Sequence, residues 1–250
     1  MKFPLALMIA LQFLTRLPVR LPSLPTAQDN GRSLLWYPLV GALIGLVLLL
    51  VHWLLMSAAP LLQAAIILSL WVWISGALHL DGLADSADAW VGGHGDRDRT
   101  LAIMKDPACG PIGVVALVLV LLLKFAALVS LLENQAWLAL LLAPWIGRLL
   151  LPALLITTPY ARPGGLGAEL AAHAPAALKP ALLCYALVIG LLTLMAWGPA
   201  GLLPLLGVVL FTSYWRRVII RRLGGTTGDT AGALLEMAEA LLLVALSVIF

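Results

Sequence analysis

PIGVVALVLVLLLKFAALVSLL, residues 111–132, contains a single charged side chain, Lys124. As an α-helix it is about 33 Å long at 1.5 Å per residue, enough to cross the ~30 Å hydrocarbon core of a bilayer. Further apolar runs, bounded by proline, glycine or charge, fall at 34–56, 61–80, 136–156, 177–197, 200–219 and 233–250. These spacings predict an all-α protein: a polytopic membrane helix bundle with about seven transmembrane helices, in one integral membrane domain over residues 1–250. Residues 3–14 are too short to cross and are expected at the interface or as a re-entrant helix. The composition agrees, with 62% hydrophobic and 11% charged residues and a mean hydropathy of +1.05. Soluble domains carry about a quarter charged residues.

The loop charges orient this map. Lys2, Arg16, Arg20 and Arg32 precede the first run, and Arg97, Arg99 and Lys105 follow the second. Arg162 and Lys179 follow the fourth, and Arg216, Arg217, Arg221 and Arg222 follow the sixth. All fall on one side, whereas the opposite turns at 57–60, 133–135 and 198–199 have no Lys or Arg. The positive-inside rule makes the basic side cytoplasmic, as for a protein of a bacterial inner membrane. Every acid except Glu133 lies on that side too, so water-soluble reactants are expected there. A net charge of +3 spread over several loops offers no stripe to follow a phosphate backbone, which argues against nucleic acid as a partner. The N-terminal run lacks small-residue cleavage chemistry and is read as retained. Cys109 and Cys184 have neither disulfide nor zinc spacing. A homo-oligomer is allowed by the sequence but not specified by it.

The chemistry is expected where the run 61–80 ends, in Leu78-His79-Leu80-Asp81-Gly82-Leu83-Ala84-Asp85-Ser86-Ala87-Asp88. Offsets of four and three put Asp81, Asp85 and Asp88 on one helical face. Like charges at that spacing destabilise a helix unless a cation relieves them. Mg²⁺ suits them, because it is commonly held by one or two carboxylates together with substrate phosphates. Gly82 removes a side chain where a bulky ligand would approach. Lys105, beside Asp106 at the start of the next span, is placed to neutralise a transferring phosphoryl group. A second polar segment, Gly224-Gly225-Thr226-Thr227-Gly228-Asp229-Thr230, opens the last run and offers backbone N–H groups to phosphate, without the Gly-Lys-Ser/Thr ending of a P-loop. Glu236 and Glu239 in that run need a wet cavity or a partner. Arg148, well inside its span, is expected to pair with an acid or a phosphate within the bundle, and Lys124 with either an acid or a ligand.

His79-Leu80-Asp81-Gly82-Leu83-Ala84-Asp85-Ser86-Ala87-Asp88, Ile103-Met104-Lys105-Asp106 with Gly110 and Gly113, and Gly224 to Thr230 together resemble the cobalamin synthase (adenosylcobinamide-GDP ribazoletransferase) family. Phe13-Leu14-Thr15-Arg16-Leu17-Pro18-Val19 and Trp36-Tyr37-Pro38-Leu39-Val40-Gly41 are similar as well. The resemblance implies a magnesium-dependent membrane enzyme for the last assembly step of adenosylcobalamin. In it the 5′-hydroxyl of α-ribazole, or of its 5′-phosphate, displaces GMP from adenosylcobinamide-GDP. On this reading Asp81, Asp85 and Asp88 hold Mg²⁺, with Asp229 and Glu236 completing the metal site. Asp85 or Asp88 takes the hydroxyl proton, Lys105 and Asp106 assist catalysis, and Gly82, Arg148, Gly225, Thr226, Thr227 and Gly228 contact substrate. The competing reading is a transporter or channel whose acids line a cation path.

Overall fold

The computed structural model describes residues 4–162 and 164–250, so Lys2 and the first residue of the run 3–14 lie outside the described residues. The helices are α1 (Leu5–Leu14), α2 (Ala27–Ser33), α3 (Tyr37–Leu54), α4 (Pro60–Ser75), α5 (Leu78–Gly92) and α6 (Arg97–Ile103). They continue as α7 (Pro111–Glu133), α8 (Ala139–Thr157), α9 (Leu166–Ala172), α10 (Leu178–Trp197), α11 (Leu202–Leu223) and α12 (Gly228–Ile249). Proline stands in the first turn of α3, α4 and α7, where its missing N–H costs no intrahelical bond and its fixed φ suits the helix. Thr26 and Asp29 cap α2 reciprocally, and Thr227 and Thr230 do the same for α12.

Among the described residues, five helical runs are by themselves long and apolar enough to cross a membrane: 27–54, 111–133, 139–157, 178–223 and 228–249. The run 178–223 is about 69 Å long if straight, twice the hydrocarbon thickness, and it folds back at Gly198 (φ 62°). Its α10 starts beside Leu34–Trp36 and ends where Trp197 stacks on Phe250. Its α11 returns until Trp215 Nε1 donates to the Thr230 carbonyl and Arg216 to the Thr157 carbonyl. It therefore contains two of the predicted passes.

The pass predicted over 61–80 is the one that departs from expectation. Its helix stops at Ser75, and α5 leaves at 87°. Gly76 (φ 65°) and Ala77 (φ 56°) are both left-handed, so two consecutive residues abandon the helical path. Arg16 stabilises the corner: its N–H donates to the Ile74 carbonyl at 2.7 Å, and its side chain covers the face of Gly76, where a Cβ would lie 2.5 Å from Arg16 Cδ. Thus α4 and α5 are long and apolar enough to span only as a bent pair, and α5, which carries the aspartates, leaves the axis of α4 at that corner.

Packing explains the glycines of α3. A Cβ at Gly41 would lie 2.4 Å from the Pro144 carbonyl oxygen, and one at Gly45 2.7 Å from the Leu141 carbonyl oxygen. Small residues four apart let α3 and α8 meet backbone to backbone, the usual source of association energy where lipid removes the hydrophobic drive. Helix α12 runs through the centre, packed by α5, α7, α8 and α11, and its Ala233, Leu234, Leu235, Ala238 and Leu243 are fully buried. Leu119, Leu122, Leu187, Leu191, Val209 and Leu210 stay exposed on the outer helices, as lipid-facing side chains do.

Candidate active site

Helix α5 crosses the first turn of α12 at close range. A Cβ at Gly82 would lie 2.9 Å from Asp229 Cα, and one at Gly232 would lie 3.2 Å from His79 Cα. The space left by Gly82 is thus taken by the Asp229 backbone, which corrects its reading as room for a ligand alone. This crossing brings Asp229 to the stripe on α5. Asp81 is exposed, and Asp85 and Asp229 are half-buried. Burial, and then the charges of Asp81, Asp229 and Asp88, push the Asp85 carboxyl up to about 6, against the opposing charge of Arg162. Arg162 Nη2 stands 3.0 Å from Asp229 Oδ2, close enough for an ion pair but not aligned as a hydrogen bond. Arg162 thus opposes the negative charge at both Asp229 and Asp85.

Asp88 does not share the open position of the others. Its Oδ2 accepts from the Gly110 N–H at 2.7 Å and its Oδ1 from the Gly113 N–H at 2.9 Å, so it caps α7 from another helix. A Cβ at Gly113 would sit 2.4 Å from Asp88 Oδ2, which explains both glycines of that segment. Both Asp88 oxygens are thus engaged by backbone N–H groups. Among the described residues, no three His, Cys, Asp or Glu side chains stand at metal-ligand spacing.

Several expectations about the second segment change. Gly225 packs on backbone, since a Cβ there would lie 2.2 Å from the Pro159 carbonyl oxygen. Thr226 N–H donates to that same carbonyl, and the Thr226 carbonyl accepts from Ala161 N–H. Thr226, Thr227 and Thr230 are fully buried, and their hydroxyls serve the helix cap. The two threonines expected to contact substrate thus hold the loop instead, leaving Gly228 exposed and Asp229 half-buried beside it. Lys105 and Asp106 are exposed in the α6–α7 connection, where Asp106 Oδ1 accepts from Ala108 N–H.

Glu236 and Arg148 belong to a different cluster. Lys124 Nζ lies 2.5 Å from Glu236 Oε2 and 2.6 Å from Glu239 Oε2, Arg148 pairs with the other Glu239 oxygen, and Lys124 also sits over Trp71. All four charged side chains are buried. Glu236 is thus committed to Lys124 rather than to the aspartates, and Arg148 to an acid rather than to substrate. Two cations and two anions balance inside the bundle, which is how ionised groups persist at membrane depth.

Beside Asp81 and Asp229 opens a cavity of about 170 Å³. Its lining includes His79, Asp81, Gly228 and Asp229 together with Leu151 and Leu155 of α8, Phe13, Tyr37 and Tyr160. The Phe13 and Tyr37 rings stack at 5.9 Å. Arg162, Tyr160 and this aromatic pair escaped sequence reasoning as functional groups. Phe13 and Tyr37 stand in short family-like segments far from the aspartates, and no pattern marks an arginine in the Pro/Gly-rich connection 159–165.

Comparison with known proteins follows the same lines. The family profile described as cobalamin-5-phosphate synthase (CobS) matches residues 6–247. An adenosylcobinamide-GDP ribazoletransferase of Ectopseudomonas mendocina is 59% identical over 239 residues, 96% of this chain and 97% of that one. The protein of the same name from Pseudomonas aeruginosa is 59% identical over 242 residues, 97% of each chain. That from Stutzerimonas stutzeri is 58% identical over 244 residues, 97% of this chain and 98% of its own. No solved structure matches.

Proposed function

The chain belongs to the cobalamin-5-phosphate synthase family, and from that premise we propose that it joins α-ribazole, or its 5′-phosphate, to adenosylcobinamide-GDP with release of GMP, at the cytoplasmic face of a bacterial inner membrane. The observation that carries the site assignment is that Asp81 and Asp229 line one cavity, with Asp85, a turn further along α5 and within reach of both charges, held up to about 6. Carboxylates gathered this closely favour a cation, and one or two of them suffice when substrate phosphate supplies the remaining oxygens. Asp81 and Asp229 would hold Mg²⁺ together with oxygens of the substrate phosphates. When bound, it neutralises charge on the diphosphate and on the departing GMP.

The chain's own groups do the rest. The ribose 5′-oxygen attacks the phosphorus on the cobinamide side, the bond from that phosphorus to the bridging oxygen breaks, and the hydroxyl proton goes to Asp85. Asp88, with both oxygens on the α7 terminus, leaves Asp85 as the acceptor. Its placement near neutrality suits a general base. Arg162 balances phosphate charge alongside Asp229, and the rigid crossing at Gly82 fixes the acids before substrate arrives.

The test is incubation of detergent-purified protein with both substrates. Release of GMP with formation of the joined corrinoid in Mg²⁺, and its loss on chelation with recovery on re-addition, is the expected result. Uptake into sealed vesicles without product would replace this reading by a transporter.

A further inference from the structure

We infer that Arg97 is a positioning residue for the transfer, the side chain that sets Arg162 against the diphosphate site. The inference rests on the ribazoletransferase reading, in which Arg162 balances phosphate charge beside Asp229. Arg162 Nη2 stands 3.0 Å from Asp229 Oδ2, yet its Nη2 and Nε are buried without a hydrogen-bond partner among the described residues. No directed bond of theirs fixes the guanidinium. The chain after it runs Pro163-Gly164-Gly165, and glycine restrains a backbone least. The guanidinium therefore inherits its place from the backbone on the other side, Pro159 to Ala161.

Hydrogen bonds from two directions hold that backbone. On one side, Thr226 N–H donates to the Pro159 carbonyl and Ala161 N–H to the Thr226 carbonyl, both at 2.8 Å. On the other stands Arg97, whose Nη2 donates to the Ala161 carbonyl at 3.1 Å while its Nε donates to the Leu223 carbonyl at 2.9 Å. The Ala161 carbonyl shares a peptide plane with the Arg162 N–H, so the bond from Arg97 fixes the direction in which the chain enters Arg162. Leu223 ends α11, where the last carbonyls have no donor within the helix. One planar fork thus clasps the end of α11 to the Arg162 segment. Arg97 itself opens α6, and the turn before it is tied to the end of α5 by Asp96 N–H donating to the Gly93 carbonyl at 2.9 Å. The clasp therefore links α5, which carries Asp81 and Asp85, through α6 to Arg162 and so to Asp229 of α12.

A double-mutant cycle decides it. GMP release per folded protein, with Tm measured alongside, is compared for wild type, Arg97→Met, Arg162→Gln and the double variant while adenosylcobinamide-GDP is varied. Arg97→Met should lower kcat/KM about tenfold when Arg162 is present and less than about twofold once Arg162 is gone. An equal loss in both backgrounds, as a merely structural role would give, overturns the assignment, and so does an Arg97→Met protein within about twofold of wild type. Should Arg97→Met fail to fold, Arg97→Lys runs the same cycle: it keeps the charge but replaces the fork by one nitrogen, and its smaller loss should likewise vanish without Arg162. Equilibrium dialysis against GDP in Mg²⁺ reads the cycle without turnover, with the same expected and overturning results. A wild-type protein that binds GDP but releases no GMP from the two substrates would overturn the transferase reading alone.

Discussion

Replacing Asp85 by asparagine should make the metal-free protein more stable. The carboxyl sits at about 6 in the fold against an ordinary 3.8, and that interval corresponds to about 3 kcal/mol once both forms are ionised. The group is partly exposed, so solvent screening reduces this to about 1 kcal/mol. For a chain of this length that is a rise in Tm of about 2–4 °C. The sign follows from linkage. A raised acid binds its proton more tightly in the fold, so its stabilising contribution is complete below 3.8 and is lost as the pH climbs through 6. The advantage of Asp85→Asn over wild type should therefore be small near pH 4, grow across pH 4–6 and level off above pH 7. Thermal unfolding in detergent with chelator, from pH 4 to 8, reads it directly. A variant less stable than wild type at pH 7.5, or an advantage that does not change with pH, would refute the idea that Asp85 sits in uncompensated negative potential.

Asp88→Asn should behave oppositely. It weakens two bonds to the α7 terminus and should lower Tm by about 2–6 °C, for a loss of about 1–1.5 kcal/mol, with GMP release falling in proportion to folded protein. In the ionic cluster, Lys124→Met leaves Glu236 and Glu239 facing Arg148 alone and should cost about 3–5 kcal/mol, most of it recovered by adding Glu236→Gln. Unfolding of the single and double variants by denaturant checks this, and a double variant no better than the single one counts against a balanced cluster.

Much of this arrangement was legible before any coordinates. The run at 111–132 gave α7 to within a residue, because unbroken apolarity leaves a helix no alternative in lipid. The offsets of Asp81, Asp85 and Asp88 placed them on one helix correctly. What periodicity did not carry was the corner at Gly76-Ala77: alanine is a strong helix former, and only Arg16, some sixty residues earlier, shows why the chain turns there. Tertiary partners likewise decided the roles of the polar residues. Asp88 looked equivalent to Asp85 until the α7 terminus claimed it, and Glu236 looked free to bind metal until Lys124, from a helix distant in sequence, was found beside it. Thr226 and Thr227 read as substrate contacts, and burial assigns them to the cap of α12.

The most direct test is GMP release by purified Asp81→Asn and Asp229→Asn proteins at saturating Mg²⁺ and both substrates, with Tm measured alongside. Each should lose about 10²-fold or more in kcat while melting no lower than wild type, because each removes a charge from a repulsive group. Turnover within about threefold of wild type in either variant would contradict the placement of the cation and the diphosphate at the crossing of α5 and α12.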